Sequence, residues 1–153
     1  MTIELSARTY RYFDHASKLL GVALVALGLD MGGDTLITES GHYEPPGAAP
    51  RLAYHYHEGV WDRMVAVGKR LADLAEKHQT KVLFEPFFGS FLSSAKRARL
   101  FLHDVGSPRI RALLDAANLL EVNDVDTMFD HLKPSIDCLH AKDRKLHVDR
   151  GVP

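Results

Sequence analysis

The sequence predicts an α/β protein made of consecutive β-α units in a parallel sheet, and three observations carry that prediction. Apolar runs end as VLFE at Glu85, ALLD at Asp115 and DCLH at His140, each closing on a side chain able to bind a metal. Each run is strand-like in length and composition, and the stretch between one and the next has helical periodicity. In a parallel sheet all carboxyl ends share one face, so residues far apart in sequence converge there.

Taken in order, Leu5, Tyr10, Phe13, Ala16, Leu19 and Leu20 form an approximately helical stripe, stopped by Gly21 where a C-terminal glycine is favoured. VALVALGLD, residues 22 to 30, is apolar almost throughout, as expected of a strand covered on both faces. From Met31 to Glu58 runs an irregular stretch with GGD, GHYEPPG and YHYH, too long for a plain connector and read as an active-site loop. Trp61, Met64, Val67 or Gly68, Leu71, Leu74 and Ala75 mark a helix ending near His78, and KVLFEPF follows as a second strand closed by Pro86. Ser93 or Ser94 caps the next helix, whose apolar face is Ala98, Phe101, Leu102 and Val105 and whose stop is Gly106. RIRALLD is the third strand. Asn123 or Asp124 caps a short helix carrying Val125, Met128, Phe129 and Leu132, with Pro134 at its end, and SIDCLHAKD is the fourth strand. No repeat or Gly/Ser linker divides the chain, so residues 1–153 read as one unit.

Composition narrows the function. A formal charge of -1 and a pI near 6.7 supply no basic field for nucleic acid or an anionic membrane, which points to a small-molecule partner. The single cysteine, Cys138, excludes an internal disulfide and suits a reducing compartment. The N-terminus lacks the apolar core of a signal peptide, and no run reaches the roughly 20 apolar residues of a membrane span, so the expected location is cytoplasmic.

Two carboxylates and an imidazole form a mixed O/N donor set for a divalent cation such as Mn²⁺, Co²⁺, Zn²⁺ or Mg²⁺. The order LGVALVALG, EGVWDRMVAVGKRLADLAEKHQTKVLFEP, SPRIRALLDAANL, IDCLHAKDR and DRGVP resembles the xylose isomerase-like (β/α)-barrel superfamily of sugar isomerases and epimerases, which also contains endonuclease IV. Its sharpest pieces are the Glu-Pro at Glu85, the D-x-x-N from Asp115 to Asn118 and the H-x-K-D from His140 to Asp143. The resemblance implies a partial (β/α)8 TIM barrel of about four parallel strands, family strands 4 to 7 with flanking helices, because a whole barrel takes roughly 250 residues. It further implies a metal held by Glu85, Asp115, His140 and a second glutamate on a strand that would follow DRGVP.

The chemistry implied is isomerisation or epimerisation of a sugar or sugar phosphate through an enediolate. A metal polarises the carbonyl oxygen, and Glu85 serves as both ligand and proton-transfer base. Asn118, Lys142, His42 and Trp61 are candidate substrate contacts; Asn118 stands where several ketose epimerases carry histidine. Each has a plainer role beside it. An acid at a strand end can cap the next helix or pair with a lysine, Trp61 can pack against the barrel, and Lys142 and Arg144 can belong to a solvated charge cluster. His42, Tyr43, His55 and His57 are read as exposed or structural before they are read as ligands, and Cys138 as a small filler on the face that carries His140. Two other readings stand. One is a truncated, inactive fragment whose open sheet edges drive self-association. The other is an endonuclease IV-like phosphodiesterase, which would need more histidines and a basic surface than this chain has.

Overall fold

Among the described residues, five parallel strands lie side by side in chain order: β1 (Thr2–Leu5), β2 (Thr35–Glu39), β3 (Lys81–Glu85), β4 (Ile110–Asp115) and β5 (Ile136–His140). The structure is a computed structural model that describes residues 2–5, 33–41, 55–56 and 59–144. Three strands expected from the sequence are present with their acidic or imidazole residue as the last member. The run at 22–30 and most of the helical stripe before it lie outside the described residues. Two corrections follow. Leu5 ends a strand and does not begin a helix, and the stretch expected to be irregular contains β2, whose Thr35–Glu39 pair in register with Lys81–Glu85 of β3.

Helices α1 (Val60–Lys77), α2 (Ala95–Val105) and α3 (Val125–Leu132) cover one face of the sheet. Their ends follow local chemistry. The Ser94 side chain accepts the Arg97 N–H, the Asp124 side chain accepts that of Thr127, and Gly106 closes α2 with a left-handed φ of 67° that a side chain would resist. Leu36, Val82, Phe84, Ala112 and Leu114 from the strands meet Ala75, Phe101, Val105, Met128 and Leu132 from the helices in one core. The Phe84 and Phe101 rings meet edge to face at 5.0 Å between centroids.

Because side chains alternate across a strand, the opposite face carries its own sequence of residues, and it is layered. Ile37, Leu83 and Leu113 with Cys138 form an apolar middle layer. Toward the strand amino ends lies a charged layer in which Asp137 receives Lys81 Nζ at 2.5 Å and Arg111 Nε at 2.8 Å. Toward the carboxyl ends lie Glu39, Glu85, Asp115 and His140. β5 reaches this arrangement through a bulge: Ala112 faces Ile136 while Leu113 already faces Cys138, leaving Asp137 as the extra residue.

Asp137 therefore ties β3, β4 and β5 together. Burial alone would push its carboxyl up, but hydrogen bonds from Lys81 and Arg111, with their charges, outweigh that and hold it below the ordinary range. Stability from a depressed carboxylate is present above its unfolded pKa and is lost as pH falls through the folded one. We expect Asp137→Asn to cost about 1 kcal/mol at pH 7, since Lys81 is half-exposed and screened. The difference from wild type should shrink in denaturant melts as pH falls below the ordinary carboxylate range and the folded-state carboxyl takes up its proton. A pH-independent difference would mean that the residue acts through packing.

Candidate metal centre

VLFE and IRALLD bury their terminal carboxylates because the preceding residues are locked in the sheet: Glu85 is 6% and Asp115 3% exposed. His140, paired with Asp115 in the β4–β5 register, stands at the partly open edge. One ligand atom from each of Glu85, Asp115 and His140 lies within 4.8 Å of the others. His140 Nδ1 is 3.5 Å from Glu85 Oε1.

Polar neighbours fix the acids. Asp115 caps the 3₁₀ turn Ala116–Asn118, its Oδ1 accepting the Ala117 N–H at 3.0 Å, while Oδ2 takes Lys142 Nζ at 2.9 Å. The plainer capping and pairing roles thus coexist with the convergent geometry. That turn swings Asn118 back over Glu85, so that Asn118 Nδ2 donates to Glu85 Oε1 at 2.8 Å while Oδ1 accepts Lys142 Nζ at 2.7 Å. The Asn118 carbonyl also accepts the Phe88 N–H at 3.0 Å, which pins the loop after β3.

Burial raises the Glu85 pKa above the ordinary value. His140 pulls it back, and the Asp115 and Glu39 charges push it up again. A buried, crowded carboxylate in this state gains from an added cation, and the O/O/N donor set suits a divalent metal. Glu39 was missed by the sequence reading, since recognising it requires first recognising β2.

The remaining candidates are placed as follows. Asn118 and Lys142 belong to the network around Glu85 and Asp115. Trp61 serves helix packing: its Nε1 donates to Asp104 Oδ2 at 2.9 Å, and its ring lies against Phe91 and Arg97. His55 is buried against Phe91, as a structural histidine would be. His42, Tyr43 and His57 lie outside the described residues. Arg144 departs from the expected solvated cluster. It is bound to Glu121 and to the Ala117 carbonyl, over the Phe88 ring.

Among solved structures, the chain is similar to a xylose isomerase-like TIM barrel protein from Mycobacterium smegmatis in complex with magnesium, with a TM-score of 0.74 and 15% identity over 99% of this chain and 54% of that one. It is similar to the probable 3-DHS dehydratase AsbF involved in petrobactin synthesis from Bacillus anthracis, with a TM-score of 0.75 and 16% identity over 95% and 50%. An L-ribulose 3-epimerase gives a TM-score of 0.68 and 25% identity over 91% and 48%. The fold is that of the xylose isomerase-like TIM barrels, of which this chain spans about half the length. A model described as a family of unknown function, DUF8120, matches residues 1–39, and no curated protein matches by sequence. No helix among the described residues is long and apolar enough to cross a membrane.

Proposed function

We propose that this chain carries the metal-binding segment of a sugar or sugar phosphate isomerase or epimerase, with Glu85, Asp115 and His140 as ligands and Glu85 also as the proton-transfer base. The observation that carries this reading is the convergence of the three donor atoms within 4.8 Å at the carboxyl ends of β3, β4 and β5. (β/α) barrels hold their chemistry at that end. An L-ribulose 3-epimerase among the similar structures supports the substrate class.

A divalent cation bound there would supply Lewis-acid polarisation of a substrate carbonyl. The chain's own residues do the rest. Glu85, raised above the usual carboxylate range by burial, is a stronger base when ionised than an exposed glutamate, which suits it to take a proton from carbon next to that carbonyl. Asn118 holds Oε1 and so aims the other carboxylate oxygen. Phe87 and Phe88 follow Glu85-Pro86 in the loop after β3, with their rings 4.6 Å apart between centroids. Glu39, on the neighbouring strand end, keeps the pocket anionic and so favours a cation.

The test is exchange of ketose C–H hydrogen into deuterated water, followed by proton NMR, with Mn²⁺ or Mg²⁺ added to the chain. Metal-dependent loss of the signal at the carbon adjacent to the carbonyl supports the reading. Exchange no faster than in buffer across a panel of ketoses and ketose phosphates, with metal demonstrably bound, would sink it.

A further inference from the structure

We propose that Lys142 is a resident counter-cation of this site, and that divalent metal binding and displacement of the Lys142 ammonium from Asp115 are a single equilibrium. The proposal rests on the metal reading above and adds to it a competitor supplied by the chain itself.

The geometry assigns the competition to one oxygen. Asp115 Oδ1 is committed to the Ala117 N–H at 3.0 Å, so Oδ2 is the atom open to a cation, and Lys142 Nζ already sits on it at 2.9 Å. A lysine ammonium is a compact charge with donors only, so it and a divalent ion repel each other across a shared carboxylate oxygen. The two partners differ in freedom. Asp115 is 3% exposed and fixed by its cap, whereas the Lys142 side chain is 51% exposed on the loop after β5 and has a flexible stem that can swing outward. Arg144, the next cation along that loop, is already held by Glu121 and the Ala117 carbonyl and does not compete.

The second contact of Lys142 decides which variant tests the idea. Nζ also donates to Asn118 Oδ1 at 2.7 Å, and Asn118 in turn holds Glu85. Removing every donor at position 142 would loosen Glu85 along with the charge. Lys142→Gln removes the charge and keeps a donor, Lys142→Met removes both, and Lys142→Arg keeps the charge.

Mn²⁺ titration of the full chain, read by the loss of free-ion EPR signal, separates the outcomes. We expect Lys142→Gln to bind about tenfold more tightly than wild type at low salt, with a smaller gain at high salt because the lysine is half-exposed. Lys142→Arg should stay near wild type and Asp115→Asn should lose binding. In wild-type protein carrying ¹³C-methylated lysines, Mg²⁺ should move the Lys142 resonance toward that of a free surface lysine. This readout needs no variant to fold. Unchanged or weaker binding in both neutral variants, or a Lys142 resonance that ignores saturating Mg²⁺, overturns the proposal while leaving the metal reading intact. Absence of binding in every form, wild type and neutral variants alike, removes the metal reading and this inference with it.

Discussion

Glu85→Gln is expected to slow substrate C–H exchange by about 10² to 10⁴-fold while making the metal-free protein more stable at neutral pH. Gln preserves shape and can still accept the Asn118 N–H, but it cannot take a proton. The stability gain follows from the raised pKa. Burial, then the Asp115 and Glu39 charges, disfavour ionised Glu85 despite the pull of His140. A group with a raised folded pKa contributes fully below its unfolded value, and that contribution is lost as pH rises through the folded one. The variant should therefore melt higher than wild type at pH 7 and equal to it near pH 4, measured without metal by circular dichroism. Full exchange activity in the variant would exclude Glu85 as the base. A lower melting temperature at pH 7 would show that the carboxylate is better solvated than its burial implies.

The second large effect lies in the helical layer. A Cβ at Gly68 would stand 2.5 Å from Val105 Cγ2 and 2.8 Å from Phe101 Cζ. Neither neighbour yields cheaply. Val105 is β-branched and stiff on α2, and the Phe101 ring is wedged against Phe84. Gly68→Ala should gain about 1 kcal/mol of helix propensity yet lose about 1–3 kcal/mol to overpacking between α1 and α2, for a net destabilisation. Gly68→Leu should leave little folded protein. Pairing Gly68→Ala with Val105→Ala should show favourable coupling of about 1 kcal/mol in a double-mutant cycle followed by urea denaturation. A stabilising single Gly68→Ala would mean that the helices stand further apart than the packing of Phe101 indicates.

What the sequence disclosed, and what it withheld, follows from range. Strands β3, β4 and β5 were legible because each is an apolar run ending in a chemically distinctive residue. The α2 and α3 boundaries were legible because Ser94, Gly106 and Asp124 act within three or four residues of their own backbone. β1 and β2 were not legible. TIEL has four residues, and TLITE lies in a stretch of Gly, His and Pro whose local chemistry favours turns, so pairing with β1 and β3 is what makes it a strand. The convergence of Glu85, Asp115 and His140 was readable from parallel topology alone. The bonds of Asn118 and Lys142 were not, because they depend on a 3₁₀ turn after β4 and on the loop after β5 reaching the end of the neighbouring strand.

The apolar middle layer of the inner face, Ile37, Leu83, Leu113 and Cys138, is in effect a steric partition between two charged layers. Lys81 and Arg111 below it would be natural neutralisers for Glu85 and Asp115 above it, and long cationic side chains reach readily along a strand face. The septum keeps them with Asp137, so the cation that stands at the mouth beside the carboxylates is Lys142, a residue of the exposed loop and not of the layer below. A substitution that opens the septum, such as a small residue at Leu113, would give the lower cations room to approach Glu85 and Asp115, weakening the binding of an added cation without altering any ligand.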